Sequence, residues 1–291
     1  MDLLFPDTWK DYELLDSGGF EKLERFGQYI TIRPEPQAVW DKMWSDTEWG
    51  KRAHVKFIPK SSSSGIWKKL KSMPDQWTLR YKTANVDVSF RLGLTSFKHV
   101  GLFPEQSVNW EYISASLKKI KNSAPKFLNL FAYTGGASVV AKQAGADVFH
   151  VDSIKQVVTW ARENMELSRQ KDIRWIVEDA MTFVKRENKR ESKYQGIILD
   201  PPAFGHGPKG ESWKLERDIN EMLKNVCNLL DPKEHFFIIN TYSLGFSAII
   251  LENLLKANIP SHSDLKFGEL FIPATSGNKL PLGIFARFCN C

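Results

Sequence analysis

KFLNLFAYTGGASVVAKQAGADVFHVD, residues 126–152, decides how the rest of the chain is read. KFLNL has the apolar content of a short strand. Phe-Ala-Tyr-Thr-Gly-Gly is a turn, GASVVAKQAG takes up helical periodicity, and DVFHVD returns to a strand. The alternation runs on downstream: helix 154–168, strand 173–179, helix 180–189, strand 194–200, helix 213–230, strand 234–240 and helix 247–258. A helix over 107–121, with Lys118, Lys119 and Lys121 at its negative end, precedes the first strand. Short apolar strands alternating with amphipathic helices predict an α/β fold with a parallel sheet covered on both faces. The chain finishes differently. LKFGELFIPATSGNKLPLGIFARFCN, residues 265–290, reads as two strands joined by a turn at Ser276-Gly277-Asn278, an antiparallel hairpin.

Residues 1–100 have another texture. YELLDSGG, QYITIRPEP, AHVKFIP, QWTLRYK and VDVSFRLGLTSF mix β-branched or aromatic residues with polar ones between turn residues, so they read as strands. Residues 37–49 read as a short helix, and the serine-rich stretch 61–65 as a mobile loop. Two domains are expected: a smaller β-rich (α+β) domain over 1–100 and the α/β domain over 101–291. Most of the tryptophans lie in the first, several beside cations such as Arg33, Lys42, Arg52 and Lys69. They either fill a thin core or form a surface that stacks bases and holds phosphates.

The chain has 291 residues, 42% of them hydrophobic and 25% charged, an ordinary balance for a globular protein with a sizeable core. No apolar run reaches the ~20 residues of a membrane-spanning helix. MDLLFPDTWKDYELL has no basic segment ahead of a hydrophobic one, so no signal peptide is expected. A net charge of +6 permits a nucleic-acid partner without requiring one. The three cysteines, Cys227, Cys289 and Cys291, lack zinc-type spacing, and no metal site is expected. Cys227 sits at an apolar helical position and is read as core. Cys289-Asn290-Cys291 is read as incidental, and the cysteine usage as that of a reducing, cytosolic setting.

Ligands of open α/β sheets bind beyond the carboxyl ends of the strands, so the strand ends carry the functional reading. The first strand ends in Asn129-Leu130-Phe131-Ala132-Tyr133-Thr134-Gly135-Gly136, where two glycines permit close approach of backbone and ligand. This is neither the GxGxxG dinucleotide pattern nor a P-loop, since no Walker lysine follows. The second strand ends in Asp152-Ser153. An acid there accepts hydrogen bonds from vicinal ribose hydroxyls, or caps the next helix. Glu178-Asp179-Ala180 follows the third strand, where an acid accepts from an exocyclic amine or again serves as a cap. Asp200-Pro201-Pro202-Ala203-Phe204 follows the fourth. Four polar strand ends in the order glycine turn, acid, acid, Asp-Pro-Pro exceed what capping alone requires.

NLFAYTGGAS, VDSIKQVVTWARENMELS, EDAMTFVKR and LDPPAFGHGPKGESWKL together resemble the Rossmann-like class I methyltransferases that use S-adenosylmethionine. More narrowly, they resemble the bacterial large-subunit ribosomal RNA methyltransferases, which include cytosine-C5 and guanine-N7 enzymes. The resemblance is strong from about Gly101 onward and looser over the leading β-rich part, where family members carry a substrate-binding domain. It implies a sheet ending in an antiparallel hairpin, with S-adenosylmethionine as cofactor and S-adenosylhomocysteine as product. The cofactor would be held by Asn129, Phe131, Tyr133, Thr134, Gly135, Gly136, Asp152, Ser153, Glu178, Asp179, Ala180 and Asp200. Phe103 and Gln106, ahead of the first helix, would join them.

Within the Asp-Pro-Pro-aromatic pattern, Asp200, Pro201 and Pro202 would accept hydrogen bonds from a flipped base and Phe204 would stack on it. The pattern departs here, because Ala203 stands where the aromatic usually falls. Lys209, Lys214 and His206 are candidates for RNA phosphates, and Asn240 for a base or for the loop itself. Cytosine-C5 chemistry needs a cysteine thiolate to add to the ring. The cytosine-modifying relatives carry theirs after the strand that here ends Ile239-Asn240-Thr241-Tyr242-Ser243, where no cysteine stands. The expected function is therefore methylation of a base nitrogen of RNA, ribosomal RNA first, in the cytoplasm and with no membrane partner. The alternatives are a methyltransferase for a small molecule or protein, and an RNA-binding module without catalysis. The sequence leaves the oligomeric state open.

Overall fold

The computed structural model describes residues 1–61, 64–259 and 264–291. The serine-rich loop read at 61–65 therefore falls in part, at Ser62 and Ser63, outside the described residues. The elements in chain order are β1 (Asp2–Leu4), β2 (Tyr12–Gly18), β3 (Glu21–Phe26), β4 (Tyr29–Pro34), α1 (Asp46–Arg52), β5 (Val55–Pro59), β6 (Gly65–Lys69), β7 (Gln76–Lys82) and β8 (Asp87–Gly93). They continue as α2 (Ser107–Lys119), β9 (Lys126–Leu130), α3 (Gly136–Gln143), β10 (Asp147–Asp152), α4 (Lys155–Leu167), β11 (Arg174–Val177), α5 (Ala180–Lys189), β12 (Gly196–Leu199), β13 (Phe204–His206) and β14 (Ser212–Lys214). The last are α6 (Leu215–Cys227), β15 (His235–Thr241), α7 (Ala248–Asn258), β16 (Lys266–Pro273) and β17 (Lys279–Asn290). They group into two compact units, one formed by 1–4, 108–270 and 283–291, the other by 5–107 and 271–282. Both are discontinuous in sequence, whereas the sequence reading divides the chain once, at residue 100.

The first unit is built on an eight-stranded sheet of order β1-β16-β17-β15-β12-β9-β10-β11. β9, β10, β11, β12 and β15 are mutually parallel, and β17 runs antiparallel to β15. β16 and β17 neighbour one another across the turn where Ala274 N–H donates to Asn278 O. All residues of β12 and β15 are buried, as a parallel sheet covered on both faces requires. On one face Leu128, Leu130, Ile197, Leu199, Phe237 and Ile239 pack against Phe183 and Val184 of α5, Leu223 and Val226 of α6, and Leu251 and Leu255 of α7. Each such side chain contributes on the order of 1.5–3 kcal/mol through burial. This core fixes the strand ends that carry the candidate residues. Among the described residues no helix is long and apolar enough to cross a membrane.

The second unit holds a five-stranded sheet, β2-β3-β4-β5-β6, and a two-stranded one, β7-β8. Leu15, Leu23, Ile32, Trp49 and Ala53 form a small core. Trp49 belongs to that core and Trp44 packs against it. Trp49 Nε1 donates to the buried Asp16 carboxylate, and Trp9, Trp40 and Trp67 donate to the carbonyls of Pro104, Ser17 and Thr95. Lys42 and Arg52 lie over the rings of Trp49 and Trp44.

Three readings are corrected here. The helix expected over 37–49 is α1, beginning at Asp46, because Ser45 caps it by accepting from Glu48 N–H. The helix expected from Trp213 begins at Leu215. Trp213 and Lys214 pair instead in β14 against Gly205 and Phe204 of β13. Cys289 and Cys291, read as incidental, form a disulfide. Side chains two residues apart on extended chain share a face, and their Cα atoms are 5.6 Å apart, within the range a disulfide spans. Cys227 is half-buried against the α6 core, and burial pushes its thiol up to about 12.

Candidate active site

Most of the candidate residues lie at the carboxyl ends of four adjacent strands, in the order β12-β9-β10-β11. The chain winds outward from β9 through β10 to β11, then returns to the other side of β9 for β12. Topology therefore reverses between β9 and β12, where open α/β sheets form a ligand crevice. At that point the N–H of Asp200 reaches Leu130 O at 3.4 Å.

The turn after β9 is tightly constrained. Phe131 and Tyr133 have φ of 56° and 49°, and Gly135 has 82°. A side chain is excluded at the two glycines: a Cβ on Gly135 would lie 3.0 Å from Ala161 Cβ, and one on Gly136 would lie 2.7 Å from the Trp110 ring. Each left-handed non-glycine residue costs roughly 1–2 kcal/mol, and specific bonds offset that. Tyr133 N–H donates to Asp152 at 2.9 Å, and the buried Asn164 carboxamide donates to Thr134 O at 2.9 Å. α3 starts at once, with no side-chain cap, so its first amides are available to a ligand.

Asp152 also accepts from Ile154 N–H at 2.9 Å. With the Ser153 N–H also directed at the carboxylate, backbone donors take part of its roughly four acceptor positions and leave the remainder for a ribose hydroxyl. Burial raises its pKa, offset in part by the N–H groups of Ile154, Tyr133 and Ser153. The Ser153 hydroxyl donates to His206 O at 3.3 Å, tying this turn to the β13–β14 hairpin. After β11, Glu178 is ion-paired with Arg186. Asp179 caps α5 by accepting from Thr182 N–H at 2.8 Å through one oxygen, and Ala180 is the buried first residue of that helix.

Burial pushes the Asp200 carboxyl up to about 7. Pro201 is buried and Pro202 exposed. Pro202 O accepts from Trp213 Nε1 at 2.7 Å, and the Trp213 ring lies 4.9 Å from that of Phe131. One indole thereby links the Asp-Pro-Pro turn to the turn after β9. Phe204, at the start of β13, is 59% exposed with its ring edge-on to His206. Lys209 and Lys214 are exposed on the same hairpin.

Other candidate residues face elsewhere. The Asn129 carboxamide donates to Ser138 Oγ at 2.9 Å, and Ser138 meets His150 Nδ1 at 3.0 Å. All three are buried, and burial holds His150 neutral by lowering its pKa to about 3, so Asn129 braces the turn from below. Asn240 is 2% exposed, and its carboxamide oxygen accepts from Asn109. Phe103 and Gln106 belong to the β-rich unit, in a short 3-10 turn ahead of α2 where Gln106 N–H donates to Phe103 O. Sequence reasoning missed Trp213, absorbed into a helix, and Asn164, whose bond spans 30 residues. It also missed Ile154, an apolar residue 51% exposed directly after Asp152-Ser153. A cavity of about 1130 Å³ lined by Asn188, Cys227, Asp231, His235 and Cys289 contains none of the candidate residues.

Exposed Ile154 beside two carboxylates with spare acceptor positions suits a purine nucleoside, and the uncapped start of α3 suits a charged tail. S-adenosylmethionine fits this donor set. Residues 59–269 match the profile of the S-adenosylmethionine-dependent methyltransferases. The crystal structure of the SAM-dependent methyltransferase from Agrobacterium tumefaciens superposes with a TM-score of 0.92 at 35% identity, covering 100% of this chain and 94% of that one. The structure of SMU.776 complexed with SAH shares the fold with a TM-score of 0.72 at 15% identity, covering 97% of this chain and 76% of that one. The ribosomal RNA large subunit methyltransferase K/L of Shewanella frigidimarina is 32% identical over 170 residues, 57% of this chain. That stretch is 23% of the relative, so the chain spans about a quarter of the curated relatives it matches.

Proposed function

The chain belongs to the S-adenosylmethionine-dependent methyltransferase family, and from that premise we propose that it methylates a base nitrogen of ribosomal RNA. The observation that carries this reading is the Asp200 turn: a half-buried carboxyl at the switch point, an exposed Phe204 and two exposed lysines on the adjoining hairpin. The names of the curated relatives support ribosomal RNA as the substrate class. When bound, the cofactor supplies a sulfonium methyl that passes in line to a nucleophilic nitrogen, leaving a neutral thioether.

The chain's own residues orient the partners, and positioning carries much of the rate in such a displacement. Asp152 and Asp179 hold the nucleoside, and the amides at the start of α3 hold the charged tail. Asp200 and the Pro201 carbonyl accept hydrogen bonds from the edge of the base. Asp200 positions and stabilises charge rather than acting as a general base, since guanine N7 carries no proton to remove. A covalent C5 route is disfavoured because it needs an activated thiolate. Cys227 is half-buried on α6 with its thiol near 12, and Cys289 pairs with Phe236 at the amino end of β15, the opposite end of the sheet from the Asp200 turn.

The β-rich unit serves in this reading as the substrate-recognition domain, as the 1–100 segment does in the sequence reading. A ribosomal substrate places the protein in the cytoplasm, where the Cys289–Cys291 bond would be reduced. The test is transfer of labelled methyl from S-adenosylmethionine to bulk ribosomal RNA, followed by digestion to nucleosides and mass spectrometry. A base methylated on nitrogen is expected. Label in 5-methylcytosine, or in protein alone, would overturn the proposal.

A further inference from the structure

The β13–β14 hairpin follows the Asp200-Pro201-Pro202 turn as a two-stranded ribbon, so its side chains divide between two faces. The register pairs Phe204 with Lys214, Gly205 with Trp213 and His206 with Ser212. Gly205 and Trp213 take the inner face, where the buried indole donates to Pro202 O and lies against the Phe131 ring. Phe204, His206, Ser212 and Lys214 take the outer face, and all four are exposed. The Asp-Pro-Pro-aromatic pattern would set Phe204 on the target base. The register instead sets it on the face opposite Trp213, away from the two turns that the indole bridges.

The outer face places a cation beside two rings. Directly opposed residues of an antiparallel pair have Cβ atoms about 4.5–5.5 Å apart, which sets Lys214 alongside Phe204. The Phe204 and His206 rings lie 4.9 Å apart at 89°, a right-angled aromatic corner with the lysine on its flank. No ion pair engages the Lys214 ammonium among the described residues. Of the neighbouring acids, Glu211 accepts from Lys209 N–H at 2.8 Å, and Asp218 accepts from Lys214 N–H at 2.7 Å and pairs with Arg217. Glu216 lies beyond, in the first turn of α6. The ribbon is fastened without its outer side chains: by Trp213, by Leu215 N–H donating to Ala203 O at 3.0 Å, and by the Ser153 hydroxyl donating to His206 O. Those bonds tie it to the turns after β10 and β12, so its outer face lies a short reach from the site. An exposed ring beside a cation is the pairing that holds single-stranded nucleic acid, with a base on the ring and a phosphate on the ammonium.

We infer that the outer face of this hairpin holds a nucleotide flanking the target, its base stacked in the Phe204–His206 corner and a phosphate at Lys214. The inference rests on the RNA reading above and moves Phe204 from the target base to its neighbour. It is tested with the full chain in two assays on a ribosomal RNA fragment: fluorescence anisotropy over a range of salt, and methyl-transfer kinetics at saturating RNA. The proteins compared are the parent, Phe204→Ala, Phe204→Tyr and Lys214→Gln. In Phe204→Ala the loss should fall on RNA binding, with the dissociation constant up at least about fivefold. Its kcat at saturating RNA should stay within about threefold of the parent, and its S-adenosylmethionine affinity should be unchanged. Phe204→Tyr keeps a ring and should bind RNA within about twofold of the parent. Lys214→Gln should reduce the log–log salt slope by about 0.7, one single-strand phosphate. A kcat lowered about tenfold or more in Phe204→Ala would return the ring to the target base and overturn the inference. So would RNA affinity within about twofold of the parent in Phe204→Ala, or an unchanged salt slope in Lys214→Gln. A parent that neither binds nor methylates RNA would remove the RNA reading itself, and this contact with it, an outcome distinct from a failure confined to the variants.

Discussion

Asp200→Asn should stabilise the protein while impairing it, and the stabilisation should depend on pH. Burial raises the Asp200 carboxyl from 3.8 to about 7. At about 1.4 kcal/mol per pH unit, ionising it in the folded chain costs up to about 4 kcal/mol more than in the unfolded chain. The folded value is the higher one, so this group's contribution to stability is complete below about pH 4 and is lost as pH rises to about 7. With full burial, roughly 1.6 kcal/mol would be lost at pH 5 and about 4 kcal/mol at pH 8. Asp200 keeps part of its surface open to the crevice, so screening brings the difference between the two conditions to about 1–2.5 kcal/mol. The amide has the carboxyl's shape and does not ionise. The gap in Tm between variant and parent should therefore widen by roughly 3–8 °C from pH 5 to pH 8. Titration of His150, whose contribution is lost as pH falls from 6.5 towards about 3, is common to both proteins and cancels. Calorimetric scans at the two pH values measure the gap directly. A gap that is the same at both would refute the argument that burial keeps Asp200 poised near neutrality.

Trp213→Phe keeps a ring against Phe131 but removes the N–H that holds Pro202 O. Methyl transfer should fall about tenfold, with S-adenosylmethionine affinity unchanged, for the loss of one buried hydrogen bond. Equal losses in binding and turnover would instead show that Trp213 supports the cofactor turn. Cys227→Ser should transfer methyl within about twofold of the parent rate, since no covalent adduct is formed. A hundredfold loss, or an RNA adduct trapped on the parent protein, would contradict that.

The α/β half of the fold was legible because its elements obey local rules. DVFHVD and AMTFVKRENK became β10 and α5 with the bounds read from the sequence, each set by a clean change of periodicity and flanked by a turn residue or a cap. What failed was whatever depends on distant pairing. Trp213 and Lys214 extend the helical pattern of α6 by composition, but β13 recruits them as a strand and Pro202 O fixes the indole. β1 has three residues, and its partners lie at 268–270, so nothing local announces it. The site shows the same division. Asp152, Asp179 and Asp200 could be found because an acid at a strand end is a local signal. Asn129, implied by the resemblance, and Asn240, read as a contact to a base or to the loop, have carboxamides bonded to Ser138 and Asn109.

The central claim is that the turns after β9, β10, β11 and β12 form one S-adenosylmethionine site organised by Asp152. Calorimetric titration of the parent and of Asp152→Ala with S-adenosylmethionine tests it most directly, with circular dichroism to confirm that the variant folds. The account predicts one site of micromolar affinity in the parent and a loss of about a hundredfold or more in the variant, since the change removes both the hydroxyl acceptor and the brace on Tyr133. Undiminished binding by a folded Asp152→Ala would contradict it.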